Sequence, residues 1–526
     1  GGSAGCVLAS RLSEDPNISV CLLEAGGQGD SWTVNVPAAC VMSLPTKINN
    51  WAFETVPQKG LNGRKGYQPR GKCLGGSSAI NAMIYIRGHR ADYDAWAAQG
   101  NTGWSYEEVL PYFICSENNE RIQNEYHGNS GPLSVIDLLT DNPIHARYIA
   151  AAKSQGYRIL DDFNGAEQEG LGVYQVTHVN GERCSVARGY LFPYLNRSNL
   201  TVLTQAITHK ILIENKIASG VEVQHAGQIK QLHARKEVLL CAGAIQSPQI
   251  LMLSGIGDQA ELNEHQIEVK RHLPGVGKNF HDHPDFIFGY TVKDTVNTFG
   301  VSMSGSLGMI KQIKRYRSER RGMIASNFAE CGGFLKSDPA LDIPNLQLHF
   351  VMALVDDHAR KFHASHGLSC HVCLLNPRSR GSVQLSGNKI TDPLKIDPNF
   401  LGDAGDVEDL VQGYKLTQQL MQSPSLSELY KQDLFTADVH TDDDIRNILR
   451  ARVDTVYHPV GSCKMGIDEM AVVDPELRVY GISQLRVIDA SIMPTVVNGN
   501  TNAPVVMIAE KAVDLIRQSQ IYKDVA

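Results

Sequence analysis

The spacing of apolar side chains predicts alternating helices and strands at both ends of the chain. Residues 6–12 carry apolar side chains at helical spacing, and the mostly apolar stretch 17–24 is typical of a buried strand. The apolar run 236–242 and the stretch that closes at 487–489 predict two more buried strands. Over 504–516 the apolar positions return to helical spacing.

The middle of the chain mixes the two patterns. Residues 349–352 and 370–375 are typical of strands in a sheet, whereas 403–422 has the spacing of a helix. We find no internal repeat. This region therefore predicts a sheet with helices packed against it.

Capping residues predict where two helices begin. Ser247 is a preferred N-cap residue, Pro248 suits the first helical position, and Gly255 is a typical stop. Asn502 is expected to cap the helix that starts near Pro504.

Composition and charge exclude several classes of protein. The chain has 526 residues, of which 42% are hydrophobic, so most of it is expected to be folded. Its net charge of −7 argues against nucleic acid as a partner. The longest mostly apolar stretch, 238–257, contains several polar residues, so it is not expected to span a membrane.

The cysteines indicate a reducing compartment. There are 11 of them, an odd number scattered through a large chain, which is not typical of a disulfide framework. Cys370 and Cys373 have CxxC spacing, but they lie in a predicted strand with no second pair, so we interpret them as structural. We predict no metal site and a cytoplasmic location.

The first residues resemble half of a dinucleotide-binding turn. In Gly-x-Gly-x-x-Gly, Gly2 and Gly5 would be the second and third glycines, and the first glycine and its strand are expected before Gly1. Glu24 follows Gly5 by 19 residues, about the spacing at which an acid binds the ribose. Dinucleotide binding is the favoured interpretation, and a structural βαβ unit with a surface Glu24 is the alternative.

A second small-residue loop completes a set of motifs that resembles a known family. Residues 69–88 read PRGKCLGGSSAINAMIYIRG, which resembles the first signature of the glucose–methanol–choline (GMC) oxidoreductases, a family of FAD-dependent alcohol dehydrogenases and oxidases. Further matching blocks follow in family order, at 243–257, 274–283, 457–466 and 486–504. The resemblance is strongest to bacterial dehydrogenases for aliphatic primary alcohols, with choline dehydrogenases next.

The resemblance implies an α/β (overall α+β) fold of two interleaved domains. A Rossmann-like FAD-binding domain would comprise residues 1–135, 198–285 and 450–526. A substrate domain built on an antiparallel sheet flanked by helices would comprise 136–197 and 286–449.

The resemblance also implies the residues that bind FAD. They are Gly2, Gly5, Glu24, Leu74, Gly75, Gly76, Ser77, Asn81, Met83, Thr208, Ala242, Asp489, Ala490, Asn502 and Ala503. Some family members attach FAD covalently through a histidine in the first signature. Ile80 stands at that position and has no nucleophile, so we predict non-covalent FAD. We also expect the helix start near Ala503 to stabilise negative charge on the reduced flavin.

Two residues near the C-terminus are predicted to carry the chemistry. Oxidation of an alcohol requires a base for the hydroxyl proton, and histidine has a suitable pKa. His458 lies in the block whose histidine faces the flavin in the family. The family's second catalytic position, His or Asn, falls on Asn500, and an alignment slip would move it to Asn502. Glu330 is interpreted as structural, although an acid there could pair with choline.

We therefore predict an FAD-dependent dehydrogenase that oxidises a primary alcohol to an aldehyde and passes electrons to a quinone or another acceptor. The alternatives within the fold are a choline dehydrogenase and an oxygen-using alcohol oxidase. A hydroxynitrile lyase and a plain NAD-binding protein are alternatives of another class. The sequence leaves peripheral association with the inner face of a membrane open, although the pattern shows no clear amphipathic helix.

Overall fold

The computed structural model describes residues 1–293, 297–300 and 303–525. The helices are α1 Ser3–Leu12, α2 Trp32–Asn35, α3 Cys40–Ser43, α4 Arg90–Ala98, α5 Tyr106–Ser116, α6 Ile144–Ser154, α7 Gly243–Leu253, α8 Gln259–Glu264, α9 Met303–Glu319, α10 Ala404–Met421, α11 Pro424–Ser427, α12 Asp442–Arg452 and α13 Asn502–Val525. Several short 3-10 turns connect them, including Pro37–Ala39, Gly76–Ala79 and Met323–Ala325.

The strands, in chain order, include many short ones. They are β1 Val20–Leu23, β2 Phe53–Glu54, β3 Tyr67–Gln68, β4 Glu117–Asn119, β5 Leu133–Val135, β6 Gly170–Val173, β7 His178–Val179, β8 Glu182–Arg183, β9 Leu200–Leu203, β10 Ala206–Glu214, β11 Ile217–His225, β12 Gln228–His233, β13 Val238–Leu240, β14 Ile256–Gly257, β15 Arg271–His272, β16 Pro284–Val292, β17 Ala329–Leu335, β18 Leu346–Val351, β19 Gly367–Leu374, β20 Ser382–Gln384, β21 Lys395–Asp397, β22 Tyr430–Asp433, β23 Asp454–Thr455 and β24 Leu485–Val487.

The ends of the chain come together around parallel strand pairs. Strand β1 pairs in parallel with β9, and β13 pairs in parallel with β24. Helices α1 and α13 pack against each other and share the largest apolar core. The Arg11 guanidinium of α1 donates to the Glu510 carboxylate of α13 at 2.8 Å, which joins helices that are about 500 positions apart. The predicted strands at 17–24 and 236–242 are confirmed but shorter.

The middle of the chain forms a six-stranded antiparallel sheet. Its order is β17-β18-β19-β16-β22, and β23 also pairs with β16. Alternate side chains of β16, β18 and β19, such as Phe288, Leu348 and Val372, pack with helices α6, α10 and α12 in one core. Because side chains alternate across a strand, the other face presents His349 and His371, which lie directly opposite each other. This second face forms a wall of the cavity described below.

Helix α7 begins one turn earlier than the capping pattern predicts. It starts at Gly243, so Pro248 lies inside it and leaves the Ala244 carbonyl without its helical partner. The Ser462 hydroxyl donates to that carbonyl. The Ser247 hydroxyl accepts from the Ala242 N–H at 3.1 Å rather than capping the turn that follows it. The prediction for Ser247 and Pro248 was therefore wrong.

Helix α13 also begins earlier than predicted. Asn502 is its first residue, so it does not precede the helix as an N-cap. Its side-chain oxygen instead accepts from the Ser3 hydroxyl at 2.9 Å, which ties the starts of α13 and α1 together. The mixed α/β class is confirmed, whereas the boundaries between the two domains stay a prediction. Within the described residues, no helix is long and apolar enough to cross a membrane.

Candidate active site

A cavity lies between the glycine turns of the parallel strand pairs and the second face of the central sheet. Its volume is about 410 Å³, within the range of small-molecule sites. We call the part lined by Gly2, Glu24, Gly76, Ala242 and Asp489 the cofactor end. The part lined by His349, His371, His458 and Asn500 is the histidine end.

Most of the residues predicted from sequence line this cavity. They are His458, Asn500, Gly2, Glu24, Gly76, Ser77, Asn81, Met83, Thr208, Ala242, Asp489, Ala490 and Asn502. Gly5, Leu74, Gly75 and Ala503 do not line it.

The four residues outside the lining have packing roles that their positions explain. A Cβ on Gly5 would lie 3.3 Å from Leu22 Cδ1, so this glycine allows α1 to pack closely on β1. Leu74 and Ala503 are buried in the largest core. Gly75 has a φ of +90°, and its N–H donates to the Gly1 carbonyl at 2.8 Å. It thus shapes the turn that presents Gly76.

The cofactor end is made mainly of backbone and small side chains. Gly76 approaches Gly2 so closely that an added Cβ would lie 2.7 Å from the Gly2 Cα. Around Gly243 there is open space, since a Cβ there would meet nothing within 4 Å. The Asp489 carboxylate accepts from the Gly243 N–H at 2.8 Å and from the Ser247 hydroxyl at 2.6 Å, which fixes the start of α7.

Three helices begin at this cavity, since Ser3, Gly243 and Asn502 all line it. The first N–H groups of a helix lack intrahelical partners and favour negative charge. The anionic pyrophosphate of FAD fits the N–H groups at the helix starts. The flat flavin ring fits the surface where glycines lack a Cβ atom. The donor set therefore fits FAD.

His458 is held in place by Asp282 and His283, which directly precede strand β16 of the central sheet. Its backbone N–H donates to Asp282 Oδ1 at 2.9 Å, and its Nδ1 lies 3.1 Å from Nδ1 of His283. Tyr457 has a φ of +76°, an unusual backbone conformation for a residue with a Cβ, and His358 Nδ1 lies 2.8 Å from its hydroxyl. The surrounding structure thus determines the direction in which His458 points.

Asn500 completes the histidine end. Its Nδ2 donates to Nε2 of His458 at 3.1 Å, and its Oδ1 accepts from Gln347 Nε2 at 3.0 Å. The two bonds fix the orientation of the amide. A substrate hydroxyl that takes the place of Asn500 at His458 Nε2 would meet both the lone pair of that nitrogen and an N–H of the amide. The alternative second position, Asn502, is occupied at the start of α13 by its bond to Ser3.

Burial lowers the pKa of His458 and of two histidines beside it. It lowers the pKa of His458 well below its usual range, and neighbouring His283 and His349 lower it further. Burial likewise lowers the pKa of His283 and of His349 to about 3. At neutral pH, His458 is therefore in the form that accepts a proton.

The sequence analysis missed the side chains that the sheet contributes. His349, His371 and Gln347 were not predicted, and His283 was included only within the matching block 274–283. His371 Nδ1 lies 2.6 Å from Asp285 Oδ2. The signal that could have found them is the two-residue period of the strands, which places Gln347, His349 and His371 on the face opposite the apolar core.

Glu330 does not line the cavity. Its carboxylate is fully buried and accepts from the Thr140 hydroxyl at 3.1 Å, from the Ser326 hydroxyl at 2.5 Å and from the His145 imidazole. These three partners satisfy the hydrogen-bonding capacity of the buried Glu330 carboxylate, as expected of a structural residue. In the described part of the chain, no cluster of three metal-ligating side chains occurs.

Comparison with known proteins places this architecture in a family. Models of the GMC oxidoreductase match residues 1–285 and 377–509. The chain belongs to the GMC oxidoreductase family. It is 44% identical over 524 residues to "Alcohol dehydrogenase [acceptor]" of Pseudomonas putida, which covers 98% of this chain and 94% of the relative. It is 40% identical to the mitochondrial choline dehydrogenase of Mus musculus, over 99% of this chain and 89% of the relative.

Solved structures of the family share the fold. Pyridoxine 4-oxidase from Mesorbium loti superposes with a TM-score of 0.89 at 29% identity, covering 98% of each chain. A formate oxidase superposes with a TM-score of 0.91 at 27% identity, covering 100% of this chain and 98% of the other. As a GMC oxidoreductase, this protein is an FAD-dependent enzyme.

Proposed function

We propose that this GMC oxidoreductase oxidises an aliphatic primary alcohol to the aldehyde at the histidine end of the cavity. The observation that carries the proposal is the convergence of His458 Nε2 and Asn500 Nδ2, 3.1 Å apart, on a cavity whose other end fits FAD. Alcohol oxidation needs both a proton acceptor and a donor to the substrate oxygen, and these two groups supply them.

The chain's own residues perform the proton chemistry. Neutral His458 accepts the hydroxyl proton at Nε2, and the Asn500 amide N–H donates to the oxygen as negative charge develops on it. Bound FAD supplies the acceptor for the hydride that leaves the carbon bearing the hydroxyl group. His283 holds the imidazole through Nδ1, and Gln347 holds the amide, so both groups keep their direction during the reaction.

The lining of the histidine end favours an uncharged, apolar substrate. Phe328, Val351, Leu354 and Val355 contribute to it. Among the described lining residues, the only carboxylates are Glu24 and Asp489, and both lie at the cofactor end. A nearby negative charge would stabilise a quaternary ammonium group, but the buried carboxylate of Glu330 is already bonded to its own neighbours. We therefore favour an aliphatic alcohol over choline.

We further propose that FAD is bound without a covalent link. Ile80, the position where some relatives attach the flavin, lines the cavity with an apolar side chain. Acid precipitation should release the flavin into the supernatant. Flavin that remains with the precipitated protein would contradict this proposal.

The function is tested by mixing holoenzyme anaerobically with a medium-chain primary alcohol and following flavin absorbance. We expect rapid bleaching with the alcohol, slow or no bleaching with choline, and reoxidation by a quinone analogue faster than by oxygen. Bleaching by choline alone would reverse the substrate assignment. Cyanide release from a cyanohydrin without any bleaching would indicate a lyase instead.

A further inference from the structure

A hydrogen-bond chain runs along the cavity wall from the backbone of strand β18 to the buried His283. It connects Tyr174, Gln347, Asn500, His458 and His283 in that order. The side chains at its two ends, Tyr174 and His283, are buried and do not line the cavity. Each bond has one donor and one acceptor, so the direction of one bond restricts the direction of the next.

The direction of the hydrogen-bond chain is set at the Tyr174 end. The Tyr174 hydroxyl donates to the Leu348 carbonyl at 2.7 Å, because a carbonyl oxygen can only accept. The Tyr174 oxygen is therefore an acceptor for Gln347 Nε2 at 3.4 Å. Burial raises the pKa of Tyr174, and hydrogen bonds from Gln347 and from the backbone of Gly333 lower it in part, as donors to the oxygen do. Gln347 thus turns its NH2 group toward Tyr174.

The same NH2 group fixes the amide of Asn500. Gln347 Nε2 donates to Asn500 Oδ1 at 3.0 Å, so the Asn500 NH2 group faces Nε2 of His458 at 3.1 Å. An amide NH2 group only donates, so Nε2 of the neutral His458 must lack a proton. A neutral imidazole with a bare Nε2 carries its proton on Nδ1.

The proton on Nδ1 of His458 requires an acceptor, and His283 is the group in place. The two Nδ1 atoms lie 3.1 Å apart, and the rings meet edge to face at 86°. Burial lowers the pKa of His283 to about 3, so this ring is neutral and can present a bare Nδ1. In the described part of the chain no carboxylate bonds to either ring, since Asp282 bonds to the His458 backbone instead.

We propose that this hydrogen-bond chain sets the tautomer of His458, with Tyr174 and His283 as positioning residues that keep the proton on Nδ1 and leave Nε2 free. The proposal rests on the proposed function, in which the hydroxyl proton of the alcohol moves to Nε2. His458 then carries one proton on each nitrogen, and Nδ1 still donates to His283. The opposite tautomer would present an N–H to the substrate and could not accept its proton. A neutral histidine thus has the role that a carboxylate has beside the catalytic histidine of serine proteases.

Variants of His283 test the acceptor. His283→Leu removes it, so we expect kcat/KM for the alcohol to fall by a factor of at least about 10². His283→Asp replaces it with a carboxylate, which only accepts, so kcat/KM should stay within about tenfold of the wild-type value. The added negative charge raises the pKa of His458, so the fall of kcat/KM on the acid side should begin about one pH unit higher than in the wild type.

The pH shift separates positioning from packing. The other titratable or charged side chains that interact with the pair of histidines are Arg70, His281, Asp282 and His349. All of them are unchanged in both variants, so a shifted profile in His283→Asp is due to the new carboxylate. If His283 only filled space in the buried core, His283→Leu would keep more activity than His283→Asp, because a buried charge is the less favourable replacement.

Tyr174→Phe tests the other end of the hydrogen-bond chain with almost no change of shape. Gln347 loses the partner that fixes its NH2 group, so both amides can reverse and part of the protein adopts the wrong tautomer. We expect kcat about fivefold lower, the effect of one lost hydrogen bond, with FAD affinity unchanged. The control Tyr316→Phe removes a buried hydroxyl that donates to the Gly181 carbonyl at 3.0 Å, outside the cavity, and should behave as wild type.

The tautomer itself is measured by 15N NMR of histidine-labelled holoenzyme, in which protonated and bare ring nitrogens have separate shifts. The His458 signals are identified by their loss in His458→Gln. We expect a protonated Nδ1 and a bare Nε2 in the wild type, and a partly protonated Nε2 in Tyr174→Phe. A protonated Nε2 in the wild type would overturn the proposal.

The outcomes separate the tautomer from the reaction. Wild-type kcat in Tyr174→Phe, or more activity in His283→Leu than in His283→Asp, would also overturn the proposal. Flavin absorbance per protein checks folding, and Tyr174→Phe keeps the test decisive if a His283 variant fails to fold. The NMR measurement needs no substrate, so the expected tautomer in an enzyme that oxidises no alcohol would support the hydrogen-bond chain and refute the proposed function.

Discussion

At the cofactor end of the cavity the backbone forms most of the surface, whereas at the histidine end the side chains do. Gly2, Gly76 and Gly243 bring the chain close to the space where FAD fits, and three helix starts offer N–H groups there. At the other end, His349, His371, His458 and Asn500 point inward from strands and turns far apart in the chain.

This difference explains why the two ends tolerate different changes. A backbone surface is disturbed by an added Cβ atom, because neither the chain nor a rigid ligand can move away. A side-chain site is disturbed by loss of a functional group, even when the backbone is unchanged. Each variant below should therefore affect either FAD affinity or turnover, but not both.

The largest effect is expected from removing the proposed base. His458→Ala should lower kcat/KM for the alcohol by a factor of about 10² to 10⁴, the usual contribution of a positioned base. The flavin absorbance per protein should stay at the wild-type level, because the cofactor end is untouched. Steady-state kinetics with an artificial acceptor measure the change.

The exposed His233→Ala on β12 is the matched control, and it should behave as wild type. If His458→Ala kept kcat/KM within tenfold of the wild-type value, His458 would not be the base.

The second effect should fall on FAD binding. Gly76 has a φ of +52°, and a Cβ there would lie 2.7 Å from the Gly2 Cα, so Gly76→Ala combines a strained conformation with a steric clash. We expect FAD affinity at least about tenfold weaker, a loss of about 1.4 kcal/mol. Titration of apoprotein with FAD, followed by fluorescence, measures it.

Gly63→Ala separates clash from strain. Gly63 has a φ of +77°, but a Cβ there would meet nothing within 4 Å. This control should bind FAD normally, and equal affinities of the two variants would show that close backbone approach at Gly76 is unimportant.

A smaller effect is expected from the residue that orients Asn500. Gln347→Leu removes the donor to Asn500 Oδ1, so the amide loses one of its two bonds and no longer keeps a single orientation. We expect kcat about tenfold lower, which corresponds to one lost hydrogen bond, with unchanged FAD affinity.

The control for Gln347 is another buried glutamine. Gln249 lies in helix α7 and does not line the cavity. The variant Gln249→Leu removes its bond to the Ile390 carbonyl. It should leave kcat unchanged. Equal losses in both variants would mean that kcat responds to general destabilisation rather than to the orientation of Asn500.

The smallest effect concerns pH. Since burial lowers the pKa of His458, the base stays deprotonated below the usual histidine pKa of about 6.5. Burial also raises the pKa of Asp282, which holds His458, to about 6. Profiles of kcat/KM against pH should thus stay level down to about pH 6.5 and fall only below it. A fall that begins above pH 7 would contradict a neutral, desolvated His458.

The sequence predicted the cofactor end better than the histidine end. Gly2, Gly76, Glu24 and Asp489 occur in short motifs whose spacing reflects local turns, so their place at the cavity could be predicted. Helix starts were less accurate, because Ser462 and Ser3, distant in sequence, satisfy groups at the starts of α7 and α13. Local capping preferences do not include such partners.

By itself, the sequence determined the family and the cofactor class, and it predicted the pair His458 and Asn500, because those features are carried by contiguous motifs. Only the tertiary structure decided that His349 and His371 share the cavity with them and that Gln347 bonds to Asn500, since strand register sets the face on which each side chain lies. Long-range pairing brings such residues together, and no local pattern records it.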